Sequence, residues 1–453
     1  MAKPTLRSYN IIMGVVVLLL TASPGWCDND QKKESPQPLT LQDCIRIALE
    51  TNPLPQAAAK EVLAAKEATS SSLAPYYPDL GLQSRYAHWQ QRAFLPKGLS
   101  IPGQPVPRLI GPTDDWMAGL KARYTLFDSG ERRAQYVTAK ARQEVAEEEK
   151  ARIIQELILG VHQGYYGLAA AMETRQVAEK MLTQTKEHLR LAKERKDVGA
   201  VPLADVLRVQ VEAANSELAL VRADTLVRIS RGNLNTLMGL PPEIPLAIKA
   251  QAEGILSPDQ INLPQAFEQA VKARPELKAA LKRIEASKSG VDLAKSAFGP
   301  KLRAEGSFGR RDTEFVPRDE DWLAGITLEW PLFTGFYRQH QLAKAKAEVS
   351  KEEAEAKQLL LKVRQEVWTA YSRLQEAYQA TQSTKALVQD AQESMRMAKE
   401  RYEVGAGTVT DLLDAQTALT RALGTQIETE WDYHTARAVF QRSIGRIHGE
   451  NRS

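Results

Sequence analysis

The chain has 453 residues, of which 43% are hydrophobic and 26% are charged, as in an ordinary folded protein. Its 60 basic and 56 acidic residues leave a net charge of +4 without a basic block, which gives little support to nucleic-acid binding. The six histidines form no i,i+4 pair on a predicted helix, so we predict no metal ion and no other cofactor. The sequence contains no phosphate-binding loop, dinucleotide fingerprint or nucleophile elbow, and we predict that the protein is not an enzyme.

The N-terminus has the organisation of a secretory signal peptide. Basic residues precede an apolar stretch over 11–20, which at about ten residues is too short to span a bilayer as a helix. Cleavage after Gly25 and cleavage after Cys27 are both compatible with the sequence, and Trp26 argues against a lipid on Cys27. We expect an exported protein whose signal peptide occupies 1–27.

The rest of the chain carries two copies of one unit. Three segments return in order: 41–53 as 263–275, 116–127 as 322–333, and 198–210 as 404–416. The offset between copies is 222 residues for the first pair and 206 for the other two, so the first copy carries 16 additional residues in a loop. A duplicated unit of this length predicts two structurally equivalent halves. The expected divisions are repeat 1 (28–245), a proline-rich linker (246–261), repeat 2 (262–448) and a short tail (449–453).

Each repeat is predicted to be mainly helical. The expected helices span 40–74, 131–196 and 203–238 in repeat 1, and 262–297, 337–402 and 409–447 in repeat 2. At 1.5 Å per residue, the middle helix of each set is on the order of 100 Å long. Apolar residues recur on it at spacings of three and four, which is a coiled-coil-like pattern. The two shorter helices together match its length, so they can stack end to end along it.

Between the opening helix and the long helix, each repeat carries two segments in which apolar and polar side chains alternate. We expect strands at about 79–90 and 115–127, and again at about 301–310 and 321–333. This length and pattern fit a transmembrane β-strand with one lipid face and one wet face, and they also fit a hairpin on a soluble α/β protein. Aromatic residues near the strand ends favour the membrane interpretation: Trp89, Trp116, Tyr124, Trp322 and Trp330.

A single chain of this kind is an open unit. Two hairpins leave unpaired strand edges, which hydrocarbon does not tolerate, and four strands are too few to close a spanning barrel. Self-association into a ring would pair the strand edges and bury the apolar stripes of the helices. The predicted fold class is therefore mainly α with membrane β-strands, in two tandem repeats that each contain long coiled-coil helices and a two-stranded hairpin. The number of copies in the ring does not follow from the pattern.

These segments also resemble a known family, the TolC-type outer-membrane efflux proteins, over essentially the full mature length. The resemblance rests on the opening LTLQDCIRIALETNP with its second copy, on LFDSG and LFTG where strand leads into helix, and on RYEVGAGTVTDLLDAQ over 401–416. RKDVGAVPLADVLRVQ repeats the last motif in register. Such a motif alone is weak, but its duplication between long helices behind a signal peptide makes it specific.

The resemblance implies the assembly and its partners. It implies a homotrimer in which twelve strands form one barrel in outer-membrane lipid, continued by an α-helical barrel across the periplasm. A periplasmic adaptor and an inner-membrane pump would be the protein partners. The residues implied to contact the adaptor lie in the two turns between long and return helices: Val198, Gly199, Ala200, Val404, Gly405, Ala406, Gly407 and Thr408.

The resemblance further implies a constriction just after the second turn. The family's acidic positions there match Asp411 and Asp414 of this chain. Asp411 has an alternative role, because an aspartate in the first turn of a helix is stabilised by the helix dipole. Asp414 lies one turn further in, and its counterpart in repeat 1 is Arg208. Gly407 stands where well-known family members carry a basic residue, so this chain lacks that residue for an ionic latch.

The leading functional hypothesis is a passive exit duct of a tripartite efflux pump for small molecules. An exit duct for type I protein secretion would use the same tube. A soluble periplasmic coiled-coil scaffold is the alternative from a different class, and it is disfavoured because a scaffold needs no lipid-facing strands.

Overall fold

The computed structural model describes residues 38–88, 93–94, 109–110, 114–249 and 254–447. The expected signal peptide, Trp89 and the tail over 449–453 lie outside these residues. The described helices are α1 (Leu41–Thr51), α2 (Pro53–Ser71), α3 (Glu131–Asp197), α4 (Leu203–Leu237), α5 (Leu263–Ala273), α6 (Pro275–Ser296), α7 (Tyr337–Glu403) and α8 (Val409–Ser443). The strands are β1 (Asp79–His88), β2 (Ala93–Phe94), β3 (Leu109–Ile110), β4 (Asp114–Phe127), β5 (Lys301–Asp312) and β6 (Asp319–Glu329).

The long helices have the same length in both halves of the chain. α3 and α7 contain 67 residues each, and α4 and α8 contain 35 each. Their starts coincide with the predicted ones. α8 ends at Ser443, four residues before the predicted 447, because Gly445 takes a left-handed φ of 74° and closes the helix.

The predicted opening helices over 40–74 and 262–297 are each broken in two, so that expectation was wrong. The break lies at Asn52 between α1 and α2, and at Arg274 between α5 and α6. Both residues precede a proline, and their ψ angles of 132° and 124° are extended. Proline excludes its predecessor from the helical region but is well suited to start the next helix, so the chain stops and restarts there.

The helices pack as a row. α3 contacts α2 and α4, α7 contacts α6 and α8, and α3 joins the halves through α6 and α8. The order is therefore α2–α3–α6–α7 on the side of the sheet and α4–α3–α8–α7 on the side of the turns. Fully buried apolar side chains such as Val161, Val209 and Val367 fill the seams, and each contributes about 1.5–3 kcal/mol. Across the described residues, none of the helices combines the length and the apolar character that a membrane span requires.

The four longer strands form one antiparallel sheet in the order β1–β4–β5–β6. The sequence predicted two separate hairpins, and the pairing of β4 with β5 joins them into a single layer. β1 and β6 are the edges of this described sheet. Within the loop between β1 and β4, β2 and β3 pair as a two-residue ribbon.

The register places apolar residues of all four strands on one face. Leu82 pairs with Leu120, Leu120 with Phe308, and Phe308 with Trp322. We call this the apolar face; its members are Leu80, Leu82, Tyr86, Trp116, Ala118, Leu120, Ala122, Tyr124, Leu302, Ala304, Phe308, Trp322, Ala324, Ile326 and Leu328. Its large side chains are exposed in the single chain, Leu82 by 81% and Ile326 by 69%.

The opposite face of the sheet is polar. Its members include Asp79, Gln83, Arg85, Asp115, Lys121, Arg123, Thr125, Arg303, Glu305, Ser307, Thr327 and Glu329. Ion pairs link neighbouring strands across it, with Arg123 to Asp79 at 3.3 Å and Arg303 to Glu329 at 3.0 Å. The predicted alternation is thus present, and a β-bulge between Thr125 and Phe127 ends it in β4.

Two glycines mark a close approach of β4 and β5 on the polar face. A Cβ added to Gly119 would lie 2.7 Å from the Cα of Gly309, closer than real side chains come to a neighbouring backbone. The two strands therefore approach each other closely on the polar face at this pair, where only glycine leaves room for the neighbouring backbone.

Candidate gate at the helical tips

The two turns that connect long and return helices have the same backbone. We call residues 198–202 the first tip and residues 404–408 the second tip. Gly199 and Gly405 both adopt a φ of 78°, a left-handed conformation that glycine takes without strain. The next residue closes the helix end in both, as Ala200 N donates to Arg195 O and Ala406 N donates to Arg401 O, each at 2.8 Å.

The residues predicted to contact an adaptor lie at the surface of these tips. Val198 and Val404 are each 79% exposed, and Gly199, Ala200, Gly405, Ala406 and Thr408 are exposed as well. Gly407 is half-buried, and its N–H donates to Arg401 O at 3.0 Å. The two tips lie side by side, because Arg195 just before the first tip bonds to Tyr402 and Glu403 just before the second.

Asp411 caps the helix that follows the second tip. Its carboxylate accepts the Thr408 N–H at 3.1 Å and the Thr408 hydroxyl at 2.8 Å, while Asp411 N–H donates to Thr408 Oγ1 at 3.1 Å. The Thr408 side chain and then its backbone N–H hold the pKa of Asp411 below its usual range, so this exposed carboxylate is ionised at neutral pH. Asp411 thus lies in the first turn of α8, as its alternative role at the positive end of the helix dipole requires, and it also forms a reciprocal cap.

The first tip lacks that reciprocal cap. Pro202 occupies the position of Thr408 and has no hydroxyl, and the start of α4 shows no side-chain capping bond. Asp205 lies in the first turn, where its charge still suits the helix dipole. Asp414 is exposed on α8, one turn beyond Asp411, and takes no part in the cap.

Two arginines of the first half cross to the second tip. Arg195, at the end of α3, donates to the carbonyls of Tyr402 and Glu403, both at 2.8 Å, and its guanidinium lies 4.6 Å from the centre of the buried Tyr402 ring. Arg208 on α4 donates to Thr410 Oγ1 at 2.7 Å. The sequence pointed to Arg208 only as the counterpart of Asp414 and did not single out Arg195.

A layer of buried polar side chains joins α3, α4 and α8 further along the helices from the tips. Thr185 Oγ1 lies 3.3 Å from Ser216 Oγ and accepts Gln416 Nε2 at 2.5 Å, so α3, α4 and α8 are joined there. All three side chains are at least 90% buried. Buried hydrogen bonds of this kind are costly to break, because each leaves polar atoms without a partner.

The exposed apolar face and the row of long helices that continues from it define the class of protein. It is an outer-membrane protein whose helical part extends into the periplasm. More particularly, the chain belongs to the outer membrane efflux protein family, whose sequence profile matches residues 44–240 and 266–446.

The chain is similar to several characterised members. It is 26% identical to Protein CyaE of Bordetella pertussis, over 83% of this chain and 78% of that protein. It is 22% identical to the pyoverdine export outer membrane protein OpmQ of Pseudomonas aeruginosa, over 73% of this chain and 70% of that protein. To the toluene efflux pump outer membrane protein TtgC of Pseudomonas putida it is 21% identical, over 64% and 60% of the two chains.

Solved structures share the fold. The outer membrane protein VceC of Vibrio cholerae superposes with a TM-score of 0.74 at 20% identity, covering 89% of this chain and 96% of that one. The CmeC outer membrane channel of Campylobacter jejuni superposes with a TM-score of 0.78 at 18% identity, covering 90% and 85%.

Proposed function

We propose that the protein is a passive outer-membrane channel through which a tripartite efflux pump exports small molecules. Three copies form a twelve-stranded β-barrel continued by a helical barrel, each chain giving two tandem repeats. The main supporting observation is that the sheet and the row of helices each end without a partner at the same two edges of the unit. Relatives named for toluene efflux and pyoverdine export support small molecules as cargo and a conduit rather than an enzyme.

The strand edges require a partner. β1 follows α2 and β6 leads into α7, so one edge of the unit is α2 with β1 and the other is β6 with α7. The exposed apolar face is suited to hydrocarbon. Unpaired backbone groups at the strand edges cannot face hydrocarbon, so the edges must pair. Pairing β6 of one copy with β1 of the next satisfies both edges by the same contact, and repetition of that contact closes a ring.

The edge helices carry matching apolar residues. α4 exposes large aliphatic side chains at intervals of one or two helical turns along its length: Leu203, Leu207, Val211, Leu218, Val221 and Ile229. On α7, at the other edge, Leu361, Trp368, Leu387 and Met397 are exposed. Stripes of this kind on adjacent copies bury one another in the same ring that pairs the strands.

The lumen corresponds to the polar face. The close approach at Gly119 and Gly309 lets the sheet bend towards that face, as it must if the polar side is to become the interior when a barrel closes. Charges of both signs are interleaved there, as in the pair of Arg123 with Asp79. This arrangement supports a wet channel without a strong preference for anions or cations.

The assembly makes a direct experimental prediction. The detergent-solubilised protein should have the mass of three chains by light scattering and should conduct ions in planar bilayers. Val211→Asp, on the exposed stripe of α4, should reduce the trimer fraction, whereas Glu217→Ala, an exposed polar position of the same helix, should not. A stable monomer that does not conduct would overturn the proposal.

The gate is the second part of the proposal. Asp411 and Asp414 ring the constriction at the second tip, and the exposed residues of both tips contact the adaptor. Asp414→Asn should raise single-channel conductance, because it removes one of the two charges of the proposed constriction. It leaves the Thr408–Asp411 cap intact. Thr408→Val is the matched control, since it removes the capping hydroxyl and leaves both carboxylates. If Thr408→Val raises conductance as much as the charge change does, the constriction depends on the cap and not on the carboxylates.

A further inference from the structure

A groove runs along α3 between α4 and α8, in the part of the helical row that leads to the tips. Its volume is about 580 Å³, which lies within the range of small-molecule sites. Val177 and Met181 of α3 line its floor, while α4 and α8 form its walls. Met181 is buried, as are Ala223 on one wall and Ile427 on the other. The deep part of the groove is therefore apolar.

Each wall of the groove carries one arginine, Arg222 on α4 and Arg421 on α8. The register of the walls follows from Thr185 of α3, which lies within hydrogen-bonding distance of both Ser216 and Gln416. Residues of α4 and α8 whose numbers differ by about 200 therefore lie at one level. The two arginines differ by 199 in number, so they stand at the same level on opposite walls. Both side chains are exposed, which leaves their charged ends accessible to a ligand.

These two arginines lack the partners that other arginines on the long helices have. Arg190, for example, is bracketed by Glu187 and Glu194, each at 2.5 Å. Arg222 and Arg421 have no acidic residue three or four positions away on either side. Among the described residues, neither guanidinium forms an ion pair or a hydrogen bond. Two cations at one level repel each other, so an anion shared between them would be stabilised by both.

The charge along the groove changes sign at both ends. Glu212 lines the end nearer the tips, about 15 Å along α4 from Arg222. Beyond Ile427 the groove continues into a second hollow of about 650 Å³, and the lining of that hollow includes Glu428 and Asp432. Positive charge is thus confined to the level of the two arginines. Such a site accommodates one anionic group and disfavours a long polyanion.

The proposed ring leaves this groove open. The stripe of α4 that the ring would bury includes Val211 and Leu218, whereas Asn215, Ala219 and Ala223 line the groove. Successive residues of a helix turn by about 100°, so these two sets lie roughly a quarter of a turn apart around α4. The groove also lies between two helices of the same chain and not at an edge of the unit.

We propose that this arginine groove, lined by Arg222, Arg421, Met181 and Ile427, binds a small organic anion with an apolar body. The carboxylate, sulfonate or phosphate monoester of the ligand lies between the two guanidinium groups, which match the geometry of such oxyanions. The apolar body packs on Met181 and Ile427 in the deep part of the groove. Because one wall belongs to the first half of the chain and the other to the second, the bound ligand links α4 to α8.

Three small probes test the class of ligand. The protein is held in phosphatidylcholine nanodiscs, and equilibrium dialysis measures binding with empty discs as the blank. 2-Naphthalenesulfonate combines one anionic group with an apolar body and should bind. Inorganic sulfate has the charge without the body, and 2-naphthylmethylammonium has the body with the opposite charge, so each should bind roughly tenfold more weakly or not at all. The proposal is overturned if either control binds as tightly as the sulfonate.

Substitutions locate the bound sulfonate. Arg222→Gln and Arg421→Gln should each weaken binding roughly five- to tenfold, because each removes one charged donor. Arg228→Gln is the matched control, since Arg228 is also exposed on α4 but lies outside the groove lining and donates to Thr225 Oγ1 at 3.1 Å. Equal losses for all three variants would mean that the sulfonate responds to net charge alone.

Ala219→Phe tests the groove without changing any charge. Ala219 is exposed and lines the groove, so the larger side chain occupies the space of the ligand and should abolish binding while the protein still folds. Amide hydrogen exchange provides the second readout: the sulfonate should slow exchange over 215–226 and over 416–427 together. Unchanged affinity in Ala219→Phe, or protection of only one of the two helices, would place the ligand elsewhere.

The outcome is separable from that of the channel proposal, because the arginine groove lies within one chain. Light scattering and bilayer conductance on the same preparation report the channel. Sulfonate binding that depends on Arg222 and Arg421 in a protein that neither trimerises nor conducts would retain the groove and remove the channel. A conducting trimer that binds the sulfonate no more tightly than sulfate would do the reverse.

Discussion

Asn52 and Arg274 occupy the same place in the two halves of the chain, directly before the proline that starts the second helical segment. Asn52 is a neutral cap: its Oδ1 accepts the Leu54 N–H and its Nδ2 donates to Leu237 O, both at 2.8 Å. Arg274 instead donates to Glu276 at 2.9 Å and to Glu366 at 2.5 Å, and it is 97% buried. Proline dictates the break in both halves, while the residue before it determines whether a cap or a buried ion network stabilises that break.

The two tips likewise have the same backbone conformation but different side-chain hydrogen bonds. Both turns use a left-handed glycine, but only the second has the Thr408–Asp411 cap. Arg195 and Arg401 are equivalent in sequence, yet Arg195 bonds across to the other tip and Arg401 is exposed. A duplicated unit therefore keeps the main-chain geometry that its glycines and prolines impose, and it diverges in the polar contacts that connect one half to the other.

The largest effect is expected on the apolar face, which the proposed channel turns towards lipid. Ile326 lies at the middle of the apolar face, and Thr327 is its neighbour on the polar face. Ile326→Lys should reduce the stability of the protein in bilayers by about 2–4 kcal/mol, the cost of a lysine at the membrane midplane. Urea titration of protein reconstituted in lipid vesicles measures the change.

Thr327→Lys is the matched control, because the first half already carries Lys121 at the equivalent position. It should be close to neutral, since residue 327 lies on the polar face, which the proposed channel turns towards its lumen. Equal losses for the two variants would show that the strand has no distinct lipid face.

The next largest effect is expected at the buried ion network. Arg274→Ala removes a buried guanidinium from between Glu276 and Glu366, which keep Arg442 at 2.8 Å and 3.5 Å, and should cost about 3 kcal/mol of unfolding free energy. Asn52→Ala, at the equivalent place, should cost about 1–2 kcal/mol as the loss of a helix cap. Denaturant unfolding of both variants in detergent tests the comparison.

Arg46→Ala controls for the loss of an arginine as such, because Arg46 pairs with Asp43 at the surface. It should change stability by less than about 1 kcal/mol. If Asn52→Ala proves as damaging as Arg274→Ala, the ion network contributes no more than the cap.

The sequence predicts the elements well where one local signal extends over many turns. The apolar stripe of α3 and α7 and the glycines after them are sufficient to place helices of 67 residues. The breaks before Pro53 and Pro275 were missed because the helical pattern continues on both sides, which hides a single proline. The alternation in β4 and β5 predicts their two faces, yet nothing local indicates that strands so far apart in the chain pair with each other.

The tips show where sequence reasoning about the site stops. The sequence placed Asp411 in the first turn of a helix, where the dipole favours it, but the reciprocal bonds with Thr408 were not predicted. The crossing by Arg195 could not be predicted, because Arg195 and Arg401 are followed at equal distances by the same Val-Gly-Ala. Which of them bonds across depends on how α3 and α7 pack against their neighbours.

A smaller effect is expected from the cross-link between the tips. Arg195→Ala removes two hydrogen bonds from a charged donor to the carbonyls of Tyr402 and Glu403 and should cost about 2 kcal/mol. Amide hydrogen exchange over 398–410 should speed up, because the end of α7 loses its tie to α3. Arg401→Ala is the matched variant and should leave this exchange nearly unchanged, since Arg401 is exposed. The asymmetry between the tips is contradicted if both variants speed exchange alike.

The smallest effect is expected from one buried histidine of the first half. His188 on α3 is buried, and its equivalent in the second half is Ser394. Burial lowers the pKa of His188, with a further decrease from Lys399, against which Glu187 and Glu403 act in the opposite direction. As the pH falls below about 6.5, the unfolded chain protonates this histidine before the native protein does, so stability falls towards acid pH and is unaffected above that value.

The slope from His188 is at most about 1.4 kcal/mol per pH unit, and it appears between about pH 6.5 and pH 5, before most carboxylates begin to titrate. His188→Gln keeps a polar side chain that does not titrate and should flatten the dependence in that window. The difference between the two unfolding curves isolates His188 from the other histidines, because those are common to both proteins. Parallel curves from pH 7 to pH 5 would mean that His188 is protonated as readily in the folded protein as in the unfolded chain, and that its burial on α3 carries no electrostatic cost.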